Sequence, residues 1–235
     1  MLFRQLFDHD TWTYTYLLAD DNGNAVLIDP VVGQIDQYRR LLGELNLTLK
    51  LAIDTHVHAD HITALGTLRD EFGCISAMGE PSTAACVSRT FRDGDVLEAG
   101  SIQLRALHTP GHTDDSYSFV LLSGPADRVF TGDTLLIRGS GRTDFQNGSA
   151  RDLYHSLHRT LLALPDHYRV YPAHDYKGWT VSTIAEEKQH NPRANIHPLE
   201  AFETFMSELK LPDPKYMDVA VPANRACGKT PSRKN

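Results

Sequence analysis

The chain has 235 residues, 41% of them hydrophobic and 23% charged, with a formal charge of −7. That is ordinary globular composition, long enough to bury a sizeable core. The acidic balance disfavours nucleic acid as a partner, because phosphate binding draws on an excess of Lys and Arg.

The first third reads as three strands, a helix and a strand. Trp12, Tyr14 and Tyr16 alternate with Thr13, Thr15 and Leu17, the period of a strand. Asn22-Gly23 signals a hairpin turn, and Ala25 to Ile28 is a short buried strand ending at Asp29-Pro30. Ile35, Tyr38, Leu41, Leu42 and Leu45 mark one face of a helix over Gln34 to Leu45. Leu51 to Ile53 is a strand, and Ile62 to Phe72 is helical. Short strands follow at Cys74 to Ala77, Val96 to Glu98, Ile102 to Leu107, Tyr117 to Leu122 and Arg128 to Phe130, with Gly94, Gly100 and Gly124-Pro125 between them. Ala150 to Leu164 is an amphipathic helix with Ser149 as its N-cap. Val170-Tyr171 is a last strand, two helices are expected near Thr183 to Gln189 and Pro198 to Lys210, and the tail from Gly228 to Asn235 is expected to fray. Strand runs with interspersed helices predict an α/β layered sandwich.

No apolar run nears the ~20 residues that span a bilayer, so no membrane partner is expected. The start, Met1 to Phe7, has no signal-peptide pattern, and the expected location is the cytoplasm, although a mature mitochondrial matrix protein would look the same. Cys74, Cys86 and Cys227 are odd in number and widely spaced, which predicts reduced, buried thiols.

Thr55-His56-Val57-His58-Ala59-Asp60-His61 follows a strand and puts three histidines and an aspartate within six residues. In an extended loop, His56 and His58 point the same way and reach one centre. Imidazole and carboxylate are ligands that zinc and ferrous iron accept. His108-Thr109-Pro110-Gly111-His112 follows another strand, and its Pro-Gly turn directs His112. Phe130-Thr131-Gly132-Asp133 and Tyr171-Pro172-Ala173-His174 place an acid and a further imidazole after two more strands. His155 and His158 flank the leucine stripe of their helix and are expected to be solvated. His108 reads as strand-end surface, and Asp114 and Asp115 as turn-capping groups.

Taken in order, these four motifs resemble the metallo-β-lactamase superfamily, over about Leu17 to His174. The resemblance implies a single αββα domain over residues 1–235, with a C-terminal helical segment at about 180–212. A narrower resemblance is carried by Leu135 to Gln146, Tyr171 to Lys177, His190-Asn191-Pro192-Arg193 and Val221-Pro222-Ala223-Asn224, which are similar to the persulfide dioxygenases. That family implies oxidation of glutathione persulfide by O2 to sulfite and glutathione, at one Fe(II) per chain. The implied ligands are His56, His112 and Asp133, a set of two imidazoles and one carboxylate that leaves positions open. His58, Asp60, His61 and His174 are then groups that orient ligands or waters. Dinuclear members use all four for two metals, with His58 as a direct ligand.

Glutathione carries two carboxylates, so its site needs cations. Arg138, Arg142, Tyr176, Lys177 and Arg225 are the candidates, with an Arg142–Asp144 ion pair as the structural alternative for Arg142. Relatives imply a homodimer. The competing activity is thioester hydrolysis of the glyoxalase II type, with two metals around a bridging hydroxide. A binding protein with a vestigial site is the reading outside enzymes. A β-lactamase is disfavoured by the missing export signal.

Overall fold

The computed structural model describes residues 1–124, 127–212 and 216–229. Pro125, from the expected Gly124-Pro125 turn, and residues 230–235 of the expected frayed tail lie outside them. No helix among the described residues is long and apolar enough to cross a membrane. They form two compact units, the first from residues 1–91, 98–102 and 216–229, the second from 92–97 and 103–212.

The first unit is a sheet in the order β1 (Leu2–Asp8), β2 (Thr13–Ala19), β3 (Asn24–Ile28), β4 (Thr48–Ile53), β5 (Ile75–Gly79) and β6 (Arg89–Phe91). The first three strands are antiparallel, and β3 to β6 run parallel. Asn22-Gly23 makes the expected turn, with Gly23 at φ +80°, a value glycine reaches without a Cβ penalty. The Asp20 carboxylate organises this hairpin, accepting from the backbone N–H groups of Asn22, Asn24 and Ser101, and these bonds hold its pKa far below the usual carboxylate range. Helices α1 (Ile35–Glu44) and α2 (Leu65–Phe72) contribute Tyr38, Leu42, Leu65 and Leu68 to a core shared with Leu17 and Leu27. Alternation predicts a half-buried β2, yet all seven of its residues are buried. Its polar members are satisfied by specific partners: the Thr15 hydroxyl, for one, donates to the Asp29 carbonyl at 2.8 Å.

Because β3 and β4 are parallel, with Ile28 and Ile53 in register, the residues after them leave the sheet at the same edge. Asp29 N–H donates to the Ile53 carbonyl at 2.8 Å, which sets Asp29 beside the start of the histidine loop.

The thiol expectation needs a correction. Cys86 and Cys227 form a disulfide, with Cα atoms 5.9 Å apart and 141 residues between them in sequence. An odd count and wide spacing carry no information about a contact made only by tertiary folding. Cys74 is the remaining free cysteine, buried as expected, and burial pushes its thiol up to about 11.

The second sheet runs in the order β7 (Val96–Ala99), β8 (Ile102–His108), β9 (Tyr117–Leu121), β10 (Arg128–Gly132), β11 (Arg169–Pro172) and β12 (Ser182–Thr183). Strands β8 to β10 are antiparallel, and β10 pairs with β11 in parallel. The parallel pair brings Asp133 and His174 out at one edge, with Ala173 N–H donating to the Gly132 carbonyl at 2.9 Å. Helix α3 (Ala150–His155) starts as expected at Ser149, whose hydroxyl accepts from Asp152 N–H. The helical run continues as a wider turn over Ser156–Leu161, where Leu162 N–H bonds the Leu157 carbonyl five residues back. Leu153, Leu157 and Leu161 join Val170, Ile184 and Phe202 in the core, the last two from α4 (Ile184–His190) and α5 (Leu199–Glu208).

His155 and His158 are partly exposed, less solvated than expected. Nδ1 of His155 and Nε2 of His158 are buried with no hydrogen-bond partner. The His158 ring lies 4.2 Å from that of Tyr154 and 4.7 Å from that of His197, between centroids.

One helix was not expected: α6 (Met217–Arg225), which belongs to the first unit and contains Pro222. An internal proline lacks an N–H and reads from sequence as a helix stop.

Candidate metal centre

In the first unit, hydrogen bonds fix which nitrogen of each loop imidazole carries the lone pair. Asp29 is the hub. Its carboxylate accepts from Thr55 N–H at 2.7 Å and from the Thr55 hydroxyl at 3.1 Å. With its proton committed there, the Thr55 hydroxyl accepts from His56 Nδ1–H at 3.0 Å, so Nε2 is the lone-pair atom of His56. His58 donates through Nε2–H to the same carboxylate at 3.1 Å, which makes Nδ1 its lone-pair atom. His61 donates through Nδ1–H to Asp60 at 2.8 Å, and its Nε2 is buried with no hydrogen-bond partner. The centroids of His56 and His58 are 4.1 Å apart and those of His58 and His61 4.2 Å apart. His56, His58 and His61 are all buried, as is Asp54 beside them, while Asp60 is partly exposed. A buried group of imidazoles that turn lone pairs outward from a carboxylate hub is suited to a cation.

The second unit repeats the logic. The Gly111 turn has φ +137°, and a Cβ there would lie 2.2 Å from the backbone nitrogen of Leu153, so only glycine fits. The turn delivers His112, whose Nδ1–H donates to the Arg142 carbonyl at 2.8 Å. Its Nε2 lone pair therefore faces Asp133 Oδ2, 3.5 Å away. His174 Nε2 lies 3.8 Å from the same oxygen. The other oxygen, Asp133 Oδ1, is buried with no hydrogen-bond partner. Two facing lone-pair atoms and an orphaned carboxylate oxygen are unfavourable alone and resolved by a shared cation. Such a His/Asp group fits zinc or ferrous iron.

The loop after Asp133 is held by residues of the His190–Arg193 motif and by α4. The fully buried Asn191 donates to the Gly139 carbonyl at 2.9 Å, and Arg193 donates to the Ser140 carbonyl at 2.5 Å. Gly141 is pressed against the centre, where a Cβ would meet the Asp133 carbonyl oxygen at 2.5 Å and His112 Nδ1 at 2.7 Å.

The expected glutathione-binding cations divide. The Arg138 guanidinium bonds Glu187, Glu186 and Ser182 and lies over the Trp179 ring at 5.5 Å. Arg142 forms the alternative ion pair, with 2.6 and 2.7 Å bonds to Asp144 that hold that carboxyl below its usual range. It also donates to the Pro212 carbonyl at 2.7 Å and covers the Phe145 ring. Tyr176 is 63% exposed and stacks on His174 with rings 3° from parallel. Lys177 and Arg225 are exposed. His108 Nε2–H donates to the Asp114 carbonyl at 3.0 Å, beyond the end of its strand. Asp29, Glu187, Asn191, Arg193 and Asn224 went without a role in the sequence reading. For the last three the signal was there, in the motifs that carry the narrower resemblance.

The metallo-β-lactamase superfamily model matches residues 13–174. The chain is 47% identical to a protein from Bos taurus named persulfide dioxygenase ETHE1, mitochondrial, over 97% of this chain and 89% of the relative. Identity to the protein of the same name from Homo sapiens is 46% over the same shares. The crystal structure of ETHE1 from Myxococcus xanthus superposes with a TM-score of 0.94 at 54% identity, covering 97% of this chain and 100% of that one. The chain has the metallo-β-lactamase fold, two mixed sheets with helices, and belongs to that superfamily and, within it, to the persulfide dioxygenase family of enzymes.

Proposed function

We propose that the chain oxidises glutathione persulfide with O2 and water to glutathione and sulfite, at one Fe(II) held by His56, His112 and Asp133. The observation that carries this reading is the identity of 46–47% to persulfide dioxygenases over 97% of the chain. The centre's chemistry supports it: His56 and His112 each have Nδ1–H tied to an oxygen, so both present Nε2, and Asp133 keeps Oδ1 for a ligand. When bound, the iron supplies the redox chemistry and the open positions at which sulfur and O2 meet. The protein's part is placement. The Asp29–Thr55 pair and the Arg142 carbonyl hold the two imidazoles in one tautomer. His58, Asp60, His61 and His174 are assigned the orienting of ligands or waters. The exposed Tyr176 and Lys177, with Arg225, meet the glutathione carboxylates, while Arg138 and Arg142 shape the loop beside them. The relatives named as mitochondrial support a mitochondrial location; a cytoplasmic location and a homodimer are carried over from the sequence alone.

The test is metal analysis of anaerobically purified protein together with oxygen uptake on glutathione persulfide. About one iron per chain and one O2 consumed per sulfite are expected. Two zinc ions per chain with no oxygen uptake would overturn the reading in favour of a thioester hydrolase.

A further inference from the structure

Eleven residues separate β4 from α2, and they carry the histidine loop without a strand or helix ladder to satisfy their backbone. Buried carbonyls in such a loop need donors from elsewhere. Two of them, those of His58 and His61, are met by one side chain from the far end of the sequence. Asn224 on α6 is fully buried, and its Nδ2 donates to the His58 carbonyl and to the His61 carbonyl, each at 2.8 Å. Its Oδ1 accepts from Thr63 N–H at 2.9 Å. The amide orientation is fixed, because the flipped form would face oxygen with oxygen twice. The sequence separations of 161 to 166 residues make this a tertiary contact that no local pattern encodes.

The surroundings are built for close approach. A Cβ on Gly228 would lie 2.1 Å from the Thr63 carbonyl oxygen, and one on Gly66 would lie 2.4 Å from the Cys227 carbonyl oxygen. Gly66 N–H donates to the Cys227 carbonyl at 3.0 Å.

We propose that Asn224 is a positioning residue for the metal centre: by holding the carbonyls on either side of Ala59-Asp60 it closes the turn that aims His56, His58 and His61. The helix that bears it is thus part of the iron site's framework, though it offers no ligand. This rests on the iron reading above. Neither the disulfide nor the glycine packing can substitute for the amide, since neither bonds the loop carbonyls.

The experiment compares wild type, Asn224→Ala and Cys86→Ser, the last cutting the covalent tether beside α6 while leaving the amide in place. Each is purified without metal and shown folded by circular dichroism, and ferrous ion affinity is read by chelator competition. The electron paramagnetic resonance spectrum of the ferrous–nitrosyl complex reports ligand geometry. Asn224→Ala is expected to weaken ferrous binding about 10–100-fold, the range for groups that orient metal ligands, and to shift the spectrum. Cys86→Ser is expected to stay within about threefold of wild type on this argument. Wild-type affinity and spectrum in folded Asn224→Ala, or equal losses in both variants, would overturn the proposal, the second by showing that only docking of α6 matters. Should Asn224→Ala not fold, Asn224→Ser, which keeps one donor, is read by the same criteria. A wild type that binds no ferrous ion strikes the iron reading itself, and is seen before any variant is compared.

Discussion

Replacing Arg138 tests whether the loop after Asp133 is a scaffold or a substrate contact. Glu187 is fully buried and ends among four donors: Arg138 N–H at 2.9 Å, the Arg138 guanidinium, the Ser182 hydroxyl at 2.5 Å and Asn191 Nδ2 at 2.8 Å. Arg138 itself sits at φ +58°, a left-handed value that a non-glycine residue holds only when its surroundings impose it. Removing one partner of a buried ion pair costs about 3–5 kcal/mol, because the other charge is left behind. In Arg138→Ala the backbone N–H, the serine and the asparagine remain, so the low end applies, about 3 kcal/mol. At roughly 2–4 °C per kcal/mol for a chain this size, thermal unfolding should fall by about 6–12 °C. Glu187→Gln should also destabilise, since its NH2 replaces an oxygen that accepts from two donors. The assay is thermal and denaturant unfolding beside steady-state kinetics on glutathione persulfide. A scaffold predicts a large loss of stability and a KM within about twofold of wild type, as binding contacts are unchanged. A tenfold rise in KM with unfolding unmoved would refute this reasoning and restore Arg138 as a carboxylate clamp.

Gly141→Ala forces a Cβ against the Asp133 carbonyl oxygen and His112 Nδ1, so bound iron per chain should drop while the fold persists, at an overpacking cost of about 1–3 kcal/mol. Full iron occupancy in the folded variant would show that the loop gives way. Titrating unreduced, denatured protein with a thiol reagent should find one reactive thiol, Cys74, because Cys86 and Cys227 are joined. Three thiols would restore the expectation from sequence. Burial lowers the His158 pKa from 6.5, with the neighbouring His197 and His155 adding to the shift. The folded state then binds fewer protons than the unfolded state, so this contribution to stability is complete above about pH 6.5 and is lost as pH falls through the folded value. His158→Leu should flatten the decline in denaturant midpoint between about pH 7 and 5, and an unchanged slope would assign the acid sensitivity elsewhere.

Much of the candidate centre was legible because each of its proposed ligands lies in a short motif where a strand ends. Thr55 to His61 announces itself by density, and the Pro110-Gly111 turn explains how His112 is aimed. Asp133 carried weight only beside the others. The fold followed where periodicity was strong, as in α1 and in the leucine stripe that runs from α3 through the wider turn after it. It failed where the determinant is distant or where local rules point the wrong way. Arg89–Phe91 is three residues long and two of them are exposed, too little for a pattern. Pro222 hid α6, and no spacing rule joins Cys86 to Cys227.

The orientation of these imidazoles belongs to the same long-range class, and this bears on how the centre works. A sequence can display His56, His58, His61 and His112 without saying which nitrogen of each is basic. That choice comes from the groups behind them: Asp29 directly at His58 and through Thr55 at His56, Asp60 at His61, and a backbone carbonyl from the loop after Asp133 at His112. For His56 and His58 the choice hangs on one carboxylate, itself held at φ +52°. An imidazole with the wrong nitrogen protonated turns an N–H toward the metal and repels it. The histidine motif is therefore insufficient alone, and a relative that kept every histidine yet lost Asp29 or the Arg142 carbonyl's position would match the pattern and is expected to bind a metal ion poorly.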